Sequence, residues 1–311
     1  MEESPAHRPV LYNEIIHFLK PHQSGRYVDG TIGAGGHARG ILDASEPEGL
    51  LLGFDVDSSA LQLARKHLES YQDRVFLVNS SFKNLSEQLD AMGWQMVDGI
   101  LLDLGISSMQ IDVQGRGFSF GKDAPLDMRF NQQDRITAKE LVNNLPEEEL
   151  ADLLFKYGEE RRSRRVAKVI VNARPIESTV ELAKIVASAT SSGRPGMHPA
   201  TRTFQALRIA VNDELAAIEQ VLPQAISSLK SGGRLAVIAY HSLEDRIVKH
   251  YFRQESKDCI CPPEQILCVC GHKAAVKVIT KRPIRPLEEE IAKNPRARSA
   301  RLRVVEKITI E

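Results

Sequence analysis

The residues best suited to chemistry lie in one short segment, residues 28–37, with the sequence VDGTIGAGGH. It places the carboxylate of Asp29 at the end of an apolar stretch, before a glycine-dense turn and the expected start of a helix. Glycine accepts positive φ and has no Cβ, so such a turn brings backbone N–H groups close to a ligand. The segment therefore predicts a site for a nucleotide-like cofactor, and Asp29 decides which one.

Two cofactor classes fit this turn. Gly33, Gly35 and Ala38 have the spacing of a dinucleotide fingerprint, with Asp55 about twenty residues further on to accept ribose hydroxyls. A dinucleotide would place its pyrophosphate at the turn, where Asp29 would repel it. S-adenosylmethionine carries a sulfonium and an ammonium group that a carboxylate attracts, and its own carboxylate can use the N–H groups of the turn. Charge therefore favours S-adenosylmethionine.

A parallel sheet is expected to position these residues. Unbroken apolar segments separated by helical patterns are typical of parallel strands covered on both faces, and their ligands bind beyond the carboxyl ends of the strands. The aligned polar ends make a tight turn without any ligand the less favoured interpretation. The predicted strands are 26–29, 50–55, 75–79 and 97–103, and they end at Asp29, Asp55, Asn79 and Asp103.

The alternation stops after the fourth strand. Residues 115–131 have the composition of a loop, and helical patterns follow without a convincing strand. A fifth strand is predicted at 234–240, and further strands at 276–280 and 301–307. We therefore expect one α/β domain, residues 1–111 and 213–311, interrupted by an all-helical insertion at 112–212. Predicted helices are 13–19, 38–42, 58–70 (capped by Ser58 or Ser59), 85–92, 137–143, 146–157, 161–172, 179–189, 200–211 and 214–230.

The composition narrows the possible partners. Forty-one basic residues balance forty-one acidic ones among 311, so only local basic clusters could hold nucleic acid. The N-terminus lacks a signal-peptide pattern, and no apolar run reaches about eighteen residues, so we expect a cytoplasmic protein without a membrane partner. The basic clusters are Arg161, Arg162, Arg164, Arg165 and Lys168, then Arg202 and Arg208, and near the C-terminus Lys281, Arg282, Arg285, Arg296, Arg298, Arg301 and Arg303.

All four cysteines fall within one segment, as Cys259, Cys261, Cys268 and Cys270. A reducing compartment makes a disulfide their least expected use. On a hairpin each pair would project from one face, so that four thiolates converge as in a zinc site, with His272 nearby. The Cys-x-Cys spacing is less diagnostic than Cys-x-x-Cys, and the expected chemistry needs no metal. We therefore assign no metal and keep zinc as an alternative hypothesis.

Longer segments of the chain are similar to the bacterial RsmH (MraW) family, which methylates cytosine N4 in small-subunit ribosomal RNA. This resemblance implies a Rossmann-like class I methyltransferase sheet, S-adenosylmethionine as cofactor, and small-subunit ribosomal RNA or the small ribosomal subunit as partner of a monomer or homodimer. The insertion would recognise the substrate. The matching segments are HRPVL (7–11), DGT with Gly33 and GGH (29–37), DGILLDLG (98–105), RGFSF (116–120), PLDMR (125–129), YGEER (157–161), HPATRTFQA (198–206), HSLEDR (241–246) and NPRARS (294–299).

The resemblance also implies roles for individual residues. Gly35, Gly36 and His37 would hold the methionine end of the cofactor, Gly33 would also belong to the cofactor site, and Asp55 would bind the ribose. Phe82 would pack on the adenine, and Asp103 and Gln110 would complete the pocket. Two simpler interpretations stay open: Phe82 as plain core packing, and His37 as a helix-start residue without a ligand.

Transfer of a methyl group to the amine of cytosine needs close positioning and an acceptor for an amine hydrogen. Many amino-methyltransferases use an Asp/Asn-Pro-Pro-Tyr/Phe segment after the fourth strand, but this chain has DLGISS there. Asp103 is therefore the first candidate acceptor, with Ser107 or Ser108 behind it.

His241 ends the fifth strand and is expected to face the same crevice. The alternative to a catalytic role is a structural one, because Ser242 and Asp245 have the spacing of a capping box at the start of a helix.

Two rival functions of the protein also remain at this point. A nucleotide-dependent oxidoreductase would bind a nicotinamide cofactor, and a non-catalytic RNA-binding or assembly factor would bind the methyl donor without turnover.

Overall fold

A computed structural model of the chain describes residues 9–106, 115–190, 198–265 and 267–309. By their internal contacts the residues form two compact units, Met1–Gly105 with Leu215–Glu311 and Ile106–Glu214. The sequence analysis places the corresponding boundaries at residues 112 and 212. Within the described ranges, every helix is too short or too polar to cross a membrane.

The first unit is built on a seven-stranded sheet in the order β3-β2-β1-β4-β5-β7-β6. Strands β1 to β5 are parallel, β7 is antiparallel to β5, and β6 is antiparallel to β7. This arrangement confirms the predicted Rossmann-like class I methyltransferase sheet. The strands are β1 (Arg26–Asp29), β2 (Leu50–Asp55), β3 (Val75–Asn79), β4 (Val97–Asp103), β5 (Leu229–Ala239), β6 (Val276–Val278) and β7 (Arg301–Lys307).

The helices cover both faces of this sheet and build the second unit. In chain order, those of the described residues are α1 (Tyr12–Leu19), α2 (Gly36–Ala44), α3 (Ser58–His67), α4 (Leu85–Ala91), α5 (Ala138–Asn144), α6 (Glu147–Gly158), α7 (Ser163–Asn172), α8 (Thr179–Ala189), α9 (Thr201–Asn212), α10 (Glu214–Ser228), α11 (Ser242–Glu255) and α12 (Glu288–Lys293).

The apolar strands separate two cores because successive side chains point to opposite faces of a sheet. Val28 and Leu52 are fully buried in one core, and their neighbours Tyr27 and Leu51 are buried in the other. Burial on both faces explains why these strands are continuously apolar. The sheet is therefore a rigid layer that holds the residues at the ends of its strands.

The chain order creates a crevice between β1 and β4. From β1 the chain runs outward to β2 and β3, and β4 and β5 then extend the sheet on the other side of β1. Ligands of such sheets bind where the direction of winding reverses, outside the carboxyl ends of the strands. Asp29 ends β1 and Asp103 ends β4, so these two residues border the crevice.

Several local predictions were wrong at element ends, and the largest differences are at α3 and β5. Helix α3 ends at His67, and its cap is the side chain of Asp57, which accepts a hydrogen bond of 3.0 Å from the backbone of Ser59. Strand β5 begins five residues early, because Leu229 already pairs with Val97 before a register shift, and Gly232 has a φ of 80°. The short helix α12 was not predicted.

The unit Ile106–Glu214 is helical, and β-pairing in its described part is limited to one isolated bridge. Helices α5 to α9 pack around fully buried apolar residues such as Leu154 and Leu207. Helix α7 shows how the sequence sets this packing, since Val166 and Ile170 are buried at the four-residue spacing of one helix face. The polar side of the same helix carries exposed Arg164, Arg165 and Lys168.

Candidate active site

The end of β1 carries a buried carboxylate. Only 1% of the surface of Asp29 is exposed, and its Oδ1 accepts a hydrogen bond of 3.1 Å from the backbone of Thr31. Burial is the main reason that the pKa of Asp29 is raised to about 6; Asp103 and Asp55 act in the same direction, while His37 and the Thr31 amide oppose them. A positive charge placed beside this carboxylate would relieve the cost of its burial.

Asp55 ties the end of β2 to the glycine-dense turn. Its Oδ2 accepts from Gly33 N at 3.0 Å, and its Oδ1 accepts from Asp57 N at 2.9 Å. The pKa of Asp55 is also raised to about 6, mainly by burial, against the hydrogen bonds that it accepts. Asn79, at the end of β3, donates to the Asp55 backbone oxygen at 2.8 Å. These hydrogen bonds hold the carboxyl ends of β1, β2 and β3 together as one polar edge of the sheet.

The glycines of the turn have different tasks. Gly35 caps α2 with a φ of 85°, and a Cβ there would lie 3.0 Å from Leu68; at Gly36 a Cβ would lie 2.4 Å from the side chain of Pro9. These two glycines are required by packing within the protein. Gly33, with a φ of 53°, meets nothing closer than 3.9 Å, so its open side is the one where a ligand can approach.

The N–H groups that remain for a ligand lie at the start of α2. Gly33 N already donates to Asp55, and Gly35 N donates to Ile32 O at 2.7 Å. The N–H groups of the first helical turn have no acceptor within their own helix. The backbones of Gly36 and His37 are therefore better placed than those of Gly33 and Gly35 to bind a carboxylate, which refines the sequence interpretation.

His37 is buried beside the crevice with 5% of its surface exposed. Its Nε2 lies 3.6 Å from Asp103 Oδ2, and its ring stacks near that of Tyr12, with centroids 6.3 Å apart. Neither ring nitrogen has a hydrogen-bond partner among the described residues. Because buried polar atoms are rarely left unpaired, this histidine indicates a place where a polar ligand group completes the site.

Asp103, at the end of β4, is bonded on several sides. Tyr240 donates its hydroxyl to Asp103 Oδ1 at 2.8 Å, and Asp103 N donates to the hydroxyl oxygen of Thr31 at 2.7 Å. Burial, followed by the negative charge of Asp103, raises the pKa of Tyr240 well above its ordinary value, so its hydroxyl remains a donor. The second carboxylate oxygen, Oδ2, is the one that faces His37.

Tyr240 was not among the residues singled out from the sequence. A signal existed: Asp103 pairs with Ile238 in the parallel ladder, and Tyr240 follows two residues later, on the same face by strand alternation. Using that signal requires the register of β4 and β5, which connects residues far apart in the chain. The sequence analysis chose the neighbouring His241 instead.

His241 is the N-cap of α11 in a capping box with Glu244, so the box predicted for Ser242 and Asp245 was one residue out of register. The Nδ1 of His241 accepts from Glu244 N at 3.5 Å, and its Nε2 lies 3.2 Å from Glu244 Oε1. Glu244 is fully buried, and its Oε2 accepts from Tyr240 N at 2.7 Å. These contacts give His241 a structural task; its catalytic role stays a prediction.

Phe82 lies in a turn after β3, Phe82–Asn84, and packs partly buried against the core. A Cβ added at Gly30 would lie 3.1 Å from the Cβ of Phe82. The glycine therefore allows Phe82 to approach the end of β1. A partly buried aromatic ring at this edge suits stacking on a planar ligand. Gln110, Ser107 and Ser108 lie outside the described residues.

Comparisons with known proteins identify similar sequences along almost the whole chain. The model of the MraW methylase family matches residues 4–308. The chain is 52% identical over 307 residues to a protein of Geotalea uraniireducens named ribosomal RNA small subunit methyltransferase H, covering 97% of this chain and 98% of that one. It is 51% identical over 302 residues to the protein of the same name from Dehalococcoides mccartyi, covering 97% and 86%. An rRNA methylase structure from Streptococcus thermophilus is similar over 99% of each chain at 12% identity, with a TM-score of 0.43.

Proposed function

The chain belongs to the MraW methylase family, and from this membership and its strand-end geometry we propose that it methylates N4 of a cytidine in small-subunit (16S) ribosomal RNA. S-adenosylmethionine supplies the methyl group. The substrate is the assembled small ribosomal subunit, which places the reaction in the cytoplasm. The observation that carries the proposal is the edge formed by Asp29, Asp55 and Asp103, because it combines a place for a cation, a ribose acceptor and a proton acceptor.

The described residues fit this cofactor. The carboxylate of Asp29 would attract the sulfonium and ammonium groups of the cofactor. The backbone N–H groups of Gly36 and His37, at the start of α2, would bind the carboxylate of the cofactor. Asp55 would accept the ribose hydroxyls through lone pairs that its two backbone contacts leave free. Phe82 would pack on the adenine, with Gly33 presenting the open side of the turn. Gln110, outside the described residues, would help to complete the pocket.

Asp103 would act on the target amine. Because Tyr240 holds Oδ1 at 2.8 Å, the carboxylate keeps one orientation, and Oδ2 remains to accept a hydrogen from the exocyclic nitrogen. Such an acceptor increases the electron density on a nitrogen whose lone pair is otherwise delocalised into the ring. Ser107 and Ser108 follow on the same segment as further candidates, and His241 would contribute mainly by fixing the start of α11.

Some of the basic residues from the sequence clusters form ion pairs within the protein, which reduces the number that could contact RNA. Arg208 forms two hydrogen bonds of 2.8 Å with Glu214, and Arg301 and Arg303 both bind Asp245. These arginines are therefore engaged within the protein. The exposed basic face of α7, defined by Arg164, Arg165 and Lys168, is the better candidate for phosphate contact, because its members share one side of a helix.

We expect Arg164→Glu with Arg165→Glu to weaken binding of the small subunit by about tenfold or more, and to lower the slope of log affinity against log salt by about 2. The kcat at saturating substrate should stay nearly unchanged, because the face does not belong to the strand-end site. Arg65→Glu with Lys66→Glu on α3 is a matched control, since both residues are exposed and the charge change is equal. Equal effects of the two pairs on affinity and salt slope would contradict the assignment of α7.

The proposed function is tested by nucleoside mass spectrometry of small subunits from cells lacking the gene, before and after incubation with enzyme and S-adenosylmethionine. We expect N4-methylcytidine to appear only after incubation, and faster on assembled subunits than on naked 16S RNA. Unchanged N4-methylcytidine refutes the proposal. Binding of the methyl donor without turnover would then indicate an assembly factor, and calorimetric binding of a nicotinamide cofactor would indicate an oxidoreductase.

A further inference from the structure

A long irregular segment connects α11 to β6. Residues 256–275 contain neither helix nor strand within their described part, which omits residue 266. The hairpin on which the zinc hypothesis placed the cysteines is therefore absent there. Loops of this length without secondary structure are uncommon, and they are usually either functional segments or linkers. This segment, called here the cysteine knuckle, carries all four cysteines of the chain.

The base of the knuckle is anchored to the first unit. Ala275 N donates to Glu255 O at 2.8 Å, and Ala274 N donates to Asp258 Oδ1 at 3.3 Å. The Nε2 of His272 lies 3.2 Å from Gln254 O, at the last turn of α11. The side chain of His272 is thus engaged with the helix rather than with the cysteines.

The sulfur atoms converge above this base. The Sγ of Cys270 lies 3.5 Å from that of Cys268 and 3.9 Å from that of Cys259. All four Sγ atoms lie within 4.8 Å of one another, and none of the cysteines is in a disulfide. Zinc–sulfur bonds of about 2.3 Å in a tetrahedron separate the sulfurs by about 3.8 Å, whereas a disulfide requires about 2.0 Å. The observed spacing fits the tetrahedron.

Hydrophobic burial does not explain this convergence. No described residue from 256 to 274 is buried. The apolar side chains of the knuckle point outward, since Ile260 is 42% exposed, Val269 73% and Leu267 77%. A segment without a core of its own needs another source of folding energy, and small domains of this kind obtain it from a bound metal.

Backbone N–H groups also point toward the sulfurs. Ile260 N lies 3.5 Å from Cys270 Sγ, and Cys261 N lies 3.4 Å from Cys259 Sγ. Such contacts stabilise negative charge on sulfur and orient ligands around a metal. The contact between Ile260 and Cys270 also joins the two Cys-x-Cys segments, because Ile260 lies between Cys259 and Cys261.

We propose that Cys259, Cys261, Cys268 and Cys270 bind one Zn²⁺ ion in a closed, structural site. Four thiolates in tetrahedral spacing select zinc among the common divalent cations, because hard cations such as Mg²⁺ prefer oxygen. No position is left for a water molecule, so the ion stabilises the knuckle and takes no part in methyl transfer. The sequence analysis assigned no metal, because the Cys-x-Cys spacing is not diagnostic and methyl transfer needs no metal. The convergence of the four sulfur atoms is the observation that leads us to propose one.

The full chain, purified without added metal or chelator, should contain about one zinc per molecule by inductively coupled plasma mass spectrometry. Cys261→Ser with Cys268→Ser should lower this to less than about a tenth, because two ligands of four are lost. His272→Ala is the matched control and should keep its zinc. Zinc-free wild-type protein, or a variant pair that retains zinc, overturns the proposal, as does finding the cysteines joined in disulfides by non-reducing mass spectrometry.

A second measurement needs no variant. Trypsin should cleave the wild-type protein at the exposed Lys257 and Lys273 at least about tenfold faster after a chelator removes the ion, because the knuckle then opens. Affinity for S-adenosylmethionine should stay the same, since the described residues from 256 to 274 lie outside both cores of the sheet. Cleavage at an equal rate with and without chelator contradicts a structural metal.

Discussion

Replacing Asp103 by asparagine is expected to lower the rate of methyl transfer by about 10²- to 10⁴-fold, the usual contribution of a positioned acid or base. The change preserves shape and the Tyr240 contact at Oδ1 but removes the negative charge that would accept an amine hydrogen. Single-turnover transfer to small subunits, with enzyme preloaded with S-adenosylmethionine, measures this step separately from product release. Affinity for the methyl donor should change by less than about tenfold, because the other strand ends remain.

Tyr240→Phe separates orientation from charge. It keeps the Asp103 carboxylate but removes the hydroxyl that holds it, so we expect a smaller loss of about 10- to 100-fold, which corresponds to the energy of a hydrogen bond to a charged group. The loss should appear in kcat rather than in KM, which is the pattern of a positioning residue.

Asp98→Asn is the control for Asp103→Asn on the same strand. Asp98 lies at the opposite end of β4, where it bonds Arg26 N and Lys230, so its loss should lower stability without changing the single-turnover rate. A rate for Asp103→Asn within about threefold of the wild type would exclude Asp103 as the acceptor. The serines at 107 and 108 would then be the next candidates.

Strands β1 to β4 were predictable because each is a largely apolar run that ends at a polar residue. β1, β2, β3, β4 and β7 have the predicted bounds, and the carboxylates at the ends of β1, β2 and β4 follow directly from them. Parallel strands bring their carboxyl ends to one edge, so sequence alone places Asp29, Asp55 and Asp103 together.

What the sequence did not predict depends on contacts between distant residues or on unusual local choices. The Tyr240–Asp103 hydrogen bond spans 137 positions in the chain and needs the β4–β5 register. Histidine is missing from the usual set of helix caps, so the sequence pattern favoured Ser242 over His241. The convergence of the cysteines needs the path of an irregular loop, which has no periodicity to read.

The second large effect is expected at Asp29, where asparagine should weaken binding of S-adenosylmethionine by about 10- to 100-fold at about pH 7.5. The reason is the loss of a buried negative charge beside the cationic groups of the cofactor. Wild-type affinity should fall as pH drops below about 6, because the raised pKa of Asp29 means that the carboxylate becomes protonated there. The variant should be less sensitive to pH, and Asp55, with a pKa also of about 6, accounts for the remaining dependence.

The same substitution should stabilise the protein without its cofactor. Asp29 has a pKa of about 6 in the folded chain, against about 3.9 when unfolded, so between these values the folded state binds more protons. Stability of the wild type without cofactor therefore decreases as pH rises through this window, and at pH 7 the ionised carboxylate costs about 1–3 kcal/mol. The Asp29→Asn variant avoids this cost, so its free energy of unfolding should exceed that of the wild type at pH 7 and differ little from it near pH 4.

Denaturant unfolding near pH 4 and at pH 7 measures the effect on stability, and calorimetric titration of S-adenosylmethionine measures the effect on binding. Asp73→Asn is the control, because Asp73 is exposed and lies just before the amino end of β3, away from the carboxyl ends that form the site. It should change neither the cofactor affinity nor the free energy of unfolding. A variant that binds the cofactor normally and unfolds more easily at pH 7 would make Asp29 a purely structural residue. Asp29→Asn should therefore weaken cofactor binding and at the same time increase the free energy of unfolding. This combination is expected only if the protein retains the buried charge of Asp29 for its ligand, because features that lower stability are retained where function requires them.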